Sequence, residues 1–404
     1  MKYGLLGRKL GHSFSPMIHA HLGDYSYELF EREPEELENF LRNGDWAGLN
    51  VTIPYKKDVI PYLDKLSPVA AKLGAVNTII RRDDRLIGHN TDFFGFKEMV
   101  RSSGLYLAGK KVLVLGTGGA SKPVIAALED LNANIISISR SGENNYENIH
   151  LHADAAAIVN ATPVGMYPQT GMAPVDISLF PRLEGVLDIV YNPARTQLLL
   201  DAEKRGLVTV NGLLMLVAQA KEASEWFQGT ALDDGLISTI HTALRRRTEN
   251  IVLIGMPGSG KTTVGKALAE RLGKTFVDAD EELVKLAGKP IPDIFSDDGE
   301  EVFRAWETKV LEELGKKSGL ILSTGGGCVT KERNYPLIHQ NGTIFWIKRD
   351  LDKLPTDGRP LSQVTPLAAM YEKRRPLYAA FADAEIDNDG ALEATLAQIM
   401  EELK

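Results

Sequence analysis

Two glycine-rich loops, each preceded by an apolar run, mark where this chain can do chemistry. Gly255-Met-Pro-Gly258-Ser259-Gly260-Lys261-Thr262 follows Ile251–Ile254 and matches G-x-x-x-x-G-K-[ST]. Glycines let backbone N–H groups turn inward on a polyphosphate, and the helix that follows adds a favourable dipole. In that pattern Lys261 reaches the β- and γ-phosphates, Thr262 reaches Mg2+, and Gly258, Ser259, Gly260 and Thr263 complete an ATP site. The second loop, Gly116-Thr-Gly118-Gly119-Ala120, follows Val112–Leu115 and is a loose dinucleotide fingerprint. The next apolar run ends at Arg140. A basic residue there favours a 2′-phosphate, hence NADP(H) over NAD.

Such loops need strands and helices to hold them. Short apolar runs alternate with helix-like segments throughout, which predicts α/β architecture with mostly parallel sheets. Strands are expected at Lys2–Leu6, Ser26–Phe30, Gly48–Ile53, Thr78–Arg81, Lys111–Leu115, Ile135–Ser139, Ile158–Asn160, Val186–Ile189 and Val208–Val210. Helices are expected at Pro34–Arg42, Tyr55–Leu66, Asp92–Ser103, Leu213–Phe227, Leu232–Arg246 and Thr263–Leu272. "RRRTEN" interrupts the pattern, and the main boundary is placed at 246–250. The length of 404 residues calls for two or three domains. A net charge of −8 argues against a general nucleic-acid binder. Cys328 is the one cysteine, so no intrachain disulfide forms and a reducing, cytoplasmic location is expected. No apolar run approaches the roughly 20 residues of a membrane helix, and the opening residues do not suggest a signal peptide. His12, His19 and His21 follow no zinc spacing.

Seven further motifs occur in order over about residues 1–245: "LGHSFSPMIHA", "GLNVTIPYKK", "GAVNTI", "GHNTDFFGF", "NATPVGM", "DIVYNPARTQLL" and "NGLLMLVAQA". This half resembles the shikimate dehydrogenase family. The resemblance implies reduction of 3-dehydroshikimate to shikimate by NADPH. It makes Lys56 and Asp92 the catalytic pair and Ser13 and Ser15 the carboxylate-binding hydroxyls. Thr52, Asn77, Asp92, Tyr191 and Gln219 hold substrate hydroxyls or complete the pocket. Asn160 to Met166, Thr162 among them, line the cofactor side, with Ile189, Gly212 and Met215 near the nicotinamide. The residue types suit the task, because a developing alkoxide needs a proton that a tuned lysine can deliver. Nineteen residues separate Arg140 from Asn160, so one crossover helix is expected to be lost or much reduced.

Within Asn250 to about Asp383, "FVDADEELV", "GEEVFRAWE", "LILSTGGGCV", "DGRPL" and "RRPLY" follow the loop that starts at Gly255. This half resembles the shikimate kinase family, which phosphorylates the shikimate 3-hydroxyl with Mg-ATP. By that resemblance Asp278 stands near the metal, and Asp280 holds substrate hydroxyls and assists deprotonation. Arg304 and Arg374 grip the substrate carboxylate as guanidinium forks. Gly326 and Gly327 bring backbone N–H groups against it, and Arg359 is the lid arginine. Lys353 stands where many relatives place another arginine.

Together the resemblances imply a bifunctional shikimate-pathway enzyme acting on small molecules, with no nucleic-acid or membrane partner. They divide it into a substrate lobe (1–100 plus 212–247), a Rossmann-like NADP lobe (101–211) and a P-loop kinase domain (248–404). A quinate-oxidising NAD enzyme is the rival within enzymology, and Arg140 argues against it. A metabolite sensor with dead domains would show broken catalytic positions, whereas Lys56, Asp92, Lys261 and Asp280 are all present. A generic small-molecule kinase with an unrelated N-terminal module would lack the ordered N-terminal motifs.

Overall fold

The computed structural model describes residues 2–11, 13–354 and 366–403. It divides into two compact units: residues 1–165, 172–191 and 201–243 form the first, and 166–171, 192–200 and 244–404 the second. His12 and Arg359 lie outside the described residues. Among the described residues, no helix is long and apolar enough to cross a membrane.

In the first unit, six strands form a mixed sheet: β1 (Lys2–Gly7), β2 (Ser26–Glu31), β3 (Gly48–Val51), β4 (Lys65–Leu66), β5 (Thr78–Arg82) and β6 (Arg85–His89). Their order is β2-β1-β3-β5-β6-β4. The sequence reading missed β6. It is joined to β5 by a two-residue turn in which Asp83 and Asp84 have φ of 50° and 58°. Aspartate tolerates that left-handed region, as the turn requires. The helix expected over Tyr55–Leu66 is absent. Turns and a 3-10 segment at Ile60–Tyr62 take its place, followed by β4. Pro61 has no N–H to give to a helical ladder, while Lys65 and Leu66 pair with Ile87 and Gly88. Lys56 therefore stands on a turn. His19 is buried, stacked 3.9 Å from Tyr27, and desolvation pushes its pKa down to about 3. It is a neutral packing residue.

A second sheet in this unit is wholly parallel: β7 (Lys111–Leu115), β8 (Asn134–Ile138), β9 (Ala157–Asn160), β10 (Gly185–Asp188) and β11 (Val208–Val210), in the order β11-β10-β9-β7-β8. The chain leaves β7 to one side for β8 and returns to its other side as β9. The carboxyl ends of β7 and β9 thus form the switch point where a crevice opens. The link from β8 to β9 carries only a 3-10 turn at Ile149–His152, so the expected loss of a crossover helix is seen.

The second unit has a parallel sheet of β12 (Asn250–Ile254), β13 (Thr275–Asp278), β14 (Leu320–Ser323), β15 (Gly342–Lys348) and β16 (Ala384–Asp387), in the order β13-β14-β12-β15-β16. β12 is buried on both faces, as a central parallel strand must be. Val252 and Ile254 pack with Phe303, Leu311 and Tyr378, whereas Ile251 and Leu253 pack with Leu268 and Ile399. This two-sided core anchors the strand from which the next loop springs. Arg245–Arg247 do not break the helix expected to end at Arg246; it spans Gly235–Thr248, and β12 starts at Asn250.

Candidate functional sites

In the second unit the loop after β12 borders a cavity of about 700 Å3 lined by Gly258, Gly260, Lys261, Thr262, Thr263, Asp278, Asp280, Arg304, Gly326, Gly327 and Arg374, among others. Gly260 has a φ of +96°, and a Cβ there would lie 2.4 Å from the Asn388 Nδ2, so no other residue fits without strain. Asn388 in turn donates to the Ser259 carbonyl at 2.7 Å. The helix Lys261–Leu272 begins directly beyond the loop. Lys261 is buried, its Nζ donating to the carbonyls of Gly255 (2.9 Å) and Met256 (3.0 Å). Thr262 Oγ1 donates to Asp278 Oδ2 at 3.0 Å. That hydroxyl and carboxylate suit a hard divalent cation that takes its other oxygens from phosphate and water.

The opposite wall carries charge. Asp280 has its pKa raised by burial and by Asp278 beside it. Arg304 is buried, 2.8 Å from Glu307 and 3.1 Å from Glu300. Arg374 is buried and donates to the Gly326 carbonyl at 3.1 Å, while neighbouring Arg375 is exposed. A Cβ on Gly327 would lie 2.2 Å from the Arg304 guanidinium, so this glycine leaves the space the arginine fills. Two guanidinium groups beside a run of glycines make a place for a carboxylate. Cys328 is wholly buried, its thiol pushed up to about 12 by desolvation. It is inert packing.

Glu307 was not among the sequence candidates, yet it is nearly inaccessible and lines this cavity. Burial raises its pKa to about 7 against the pull of Arg304, and its Oε1 has no hydrogen-bond partner among the described residues. Its signal was the three-residue spacing from Arg304, which puts both side chains on one helix face.

In the first unit Lys56 Nζ donates to Asp92 Oδ2 at 2.7 Å, the lysine side chain 32% and the aspartate 14% exposed. Asp92 opens the helix Asp92–Ser103, where the dipole favours a carboxylate. Gly95 in that helix lets it approach the helix Leu213–Gln228 closely, for a Cβ would lie 2.7 Å from the Met215 carbonyl and 3.0 Å from the Gln219 Cβ. That approach delivers Gln219, whose Oε1 accepts from Asn77 Nδ2 and Thr91 Oγ1, each at 3.3 Å. Asn77 Oδ1 accepts from the Thr91 N–H at 2.8 Å. Lys56, Asn77, Asp92 and Gln219 are thereby linked through the start of one helix.

Ser15 N–H donates to Ser13 Oγ at 3.2 Å, and Ser15 is hydrogen-bonded to Tyr27. Tyr27 donates to Asn50 Oδ1 at 2.8 Å, and Asn50 reaches Thr78 Oγ1 at 3.3 Å. Thr78 Oγ1 donates to Asn77 Oδ1 at 3.1 Å. A partly buried polar chain thus runs from the paired serines to Asn77, and its middle members, Tyr27, Asn50 and Thr78, were not legible in the sequence. Tyr191 lies with its ring 5.9 Å from that of Phe14, beside the serines. Thr52 is half-buried just after β3.

At the switch point Gly116 has a φ of +99°, and a Cβ there would lie 2.8 Å from Thr162 Cγ2. The two loops therefore abut. Thr162 donates through N–H and Oγ1 to Asn160 Oδ1 (3.0 and 2.7 Å), and Asn160 donates to buried Asp188 at 3.0 Å. Gly118 and Gly119 face open space, and Ala120 precedes the helix Ser121–Asp130. Arg140 is exposed beyond β8. Gly212 abuts Ile189, for a Cβ would lie 2.0 Å from the Ile189 carbonyl, and Met215 follows within a turn. An open glycine loop, a helix N-terminus and an exposed cation suit a phosphorylated dinucleotide.

Comparison with known proteins finds a different match in each half of the chain. Residues 5–79 match the shikimate dehydrogenase substrate-binding domain and residues 257–404 match shikimate kinase. An NADP(+) shikimate dehydrogenase of Clostridium perfringens is 37% identical over 270 residues, spanning 61% of this chain and 98% of that protein. The crystal structure of shikimate dehydrogenase 1 from Peptoclostridium difficile is 36% identical with a TM-score of 0.56, covering 60% of this chain and 97% of that one. A shikimate 5-dehydrogenase from Thermus thermophilus, solved with NADP(H) and shikimate, is 30% identical with a TM-score of 0.55, covering 60% of this chain and 99% of that one.

Proposed function

Because the chain belongs to the shikimate dehydrogenase family and carries a shikimate kinase domain from residue 257 onward, we propose that its two sites act in succession on one molecule. The protein is a bifunctional shikimate-pathway enzyme using NADP(H), ATP and Mg2+. The observation that carries the assignment of residues is that each half holds its own acid–base group and its own phosphate-binding loop.

In the first site Ser13 and Ser15 hold the carboxylate of 3-dehydroshikimate, while Asn77, Thr52, Gln219 and Tyr191 hold its hydroxyl face. Bound NADPH supplies the hydride. Lys56 gives its proton to the ketone oxygen as charge develops there, and Asp92, 2.7 Å away, keeps the ammonium aimed. Gly116, Gly118, Gly119 and Ala120 take the pyrophosphate and Arg140 the 2′-phosphate. The substrate lobe comprises 1–100 and 212–247, and the NADP lobe 101–211.

In the second site Arg304 and Arg374 hold the carboxylate of shikimate and Asp280 takes the proton of the 3-hydroxyl. Its raised pKa, caused by burial and Asp278, makes it a better proton acceptor than an ordinary carboxylate. Bound Mg-ATP supplies the phosphoryl group, with Thr262 and Asp278 at the metal and Lys261 at the phosphates. Phosphoryl transfer then depends on alignment and charge neutralisation. Glu307 orients Arg304. Glu307→Gln keeps the shape and removes the charge, so the KM for shikimate is expected to rise about tenfold with the KM for ATP unchanged, the scale of one charged hydrogen bond. Steady-state kinetics on both substrates checks this. The enzyme works in the cytoplasm, where a lone thiol stays reduced.

The direct test supplies 3-dehydroshikimate, NADPH and Mg-ATP together and follows products by mass spectrometry. Shikimate 3-phosphate is expected to accumulate, with one NADPH oxidised per molecule. Absence of that product would sink the reading.

A further inference from the structure

The kinase cavity contains a cation to which neither the sequence motifs nor the reading above gives a role. Arg349 follows the end of β15 and lines both the 700 Å3 cavity and an adjoining one of about 500 Å3. Its Nη1 lies 4.0 Å from where a Cβ on Gly260 would stand, so the guanidinium flanks the phosphate loop. Its Nε is buried with no hydrogen-bond partner among the described residues. A guanidinium N–H removed from water and left unpaired is unfavourable, and such groups are normally satisfied.

The nearby carboxylates are engaged by lysines. Glu385 is held by Lys348 at 2.9 Å, and Lys353 lies 3.2 Å from Asp389 and 3.4 Å from Asp350. Lys353, the next cation along the chain, is already engaged. Two carboxylates already hold its ammonium. The cation left facing the loop is Arg349, four positions earlier.

Resting on the kinase reading above, we propose that Arg349 is a nucleotide-binding residue that donates to a phosphate oxygen of the bound nucleotide on the Gly260 flank of the loop. The loop N–H groups gather the phosphates, and Lys261 approaches from the Gly255 side. Arg349 supplies a second cation from the strand end opposite. A planar fork with five donors suits a phosphate, and the unpaired Nε is one of them. The adjoining cavity continues from Arg349 past Tyr371, Glu385, Asp389 and Gln398, whose acceptors and ring suit a nucleoside better than a polyanion. Arg349 thus stands at the junction between the two halves of the nucleotide.

The test is calorimetric titration of the full chain with Mg-ADP and, separately, with Mg-pyrophosphate. Arg349→Ala is expected to raise both dissociation constants about tenfold, as loss of a charge-assisted hydrogen bond does. Arg349→Lys is expected to recover part of that loss as a point charge. NADPH-dependent reduction and the thermal midpoint serve as folding controls; if Arg349→Ala fails them, Arg349→Lys carries the test. A Mg-ADP constant within twofold of the parent would overturn the proposal. Weakened Mg-ADP with unchanged Mg-pyrophosphate would overturn the phosphate contact and move Arg349 to the nucleoside. Lys261→Ala is titrated in parallel: if it leaves Mg-ADP binding intact, the kinase reading fails, which is distinct from failure of Arg349 alone.

Discussion

Lys56→Ala is expected to lower the NADPH-dependent reduction of 3-dehydroshikimate by about 1,000-fold in kcat, near the middle of the range for a positioned proton donor. That loss corresponds to about 4 kcal/mol of barrier. Asp92 does not replace the missing group, because an ionised carboxylate accepts hydrogen bonds and has no proton to give. The KM is expected to change far less, since the proposed substrate-holding groups Ser13, Ser15 and Asn77 lie along hydrogen bonds that do not involve the Lys56 side chain. Lys56→Met preserves the stem and should be equally slow, which separates loss of the ammonium from loss of packing. Phosphorylation of supplied shikimate should stay within twofold of the parent. Stopped-flow loss of NADPH absorbance measures the first activity, and ADP release the second. Retention of a tenth of the parent rate in Lys56→Ala would remove the lysine from the proton-donor role.

The parts of the molecule legible in the sequence are those whose signals are local. β7 and the helix Asp92–Ser103 take their expected bounds because an apolar run or a 3.6-residue period needs no distant partner to be read. The phosphate loop is equally local, since its glycines, lysine and threonine are contiguous. Illegibility begins where a residue's role is decided by what folds against it. Tyr55–Leu66 has a helical look, yet Pro61 and the pairing of Lys65 with Ile87 make it a turn and an edge strand. Asn50 sits in a strand motif, and only the sheet brings it between Tyr27 and Thr78. Glu307 reads as an ordinary helix-surface acid until the loop at Gly325–Gly327 closes over it; a Cβ on Gly325 would lie 2.7 Å from its Oε1. Arg349 reads as a solvated charge at a strand end until Gly260 is placed beside it. In each case the sequence specifies the chemistry of the group and the tertiary structure specifies its partner.

Lys261→Ala is expected to have the complementary effect: phosphorylation of shikimate falls about 1,000-fold, while reduction of 3-dehydroshikimate is preserved. Electrostatic stabilisation of the transferring group is the main thing such a site provides, and single donors at positions of that kind are worth about 100- to 1,000-fold each. Lys261 does more than supply charge, because its buried Nζ also ties the Gly255 and Met256 carbonyls. Its removal leaves two carbonyls without that donor, so a modest fall in the melting temperature of the second unit is expected alongside the lost activity. Lys261→Arg should not rescue the rate. The planar guanidinium is wider than an ammonium and cannot occupy a slot defined by two carbonyls at 2.9 and 3.0 Å. The pair of variants, Lys56→Ala and Lys261→Ala, then forms a cross-test of the two glycine loops. Mixed in one vessel with 3-dehydroshikimate, NADPH and Mg-ATP, the two inactive-at-one-site proteins should together form shikimate 3-phosphate, because free shikimate can leave one chain and enter another. If either variant loses both activities while its circular dichroism and melting curve match the parent, the two sites do not work independently, and the loop at Gly116 and the loop at Gly255 must be parts of one coupled machine.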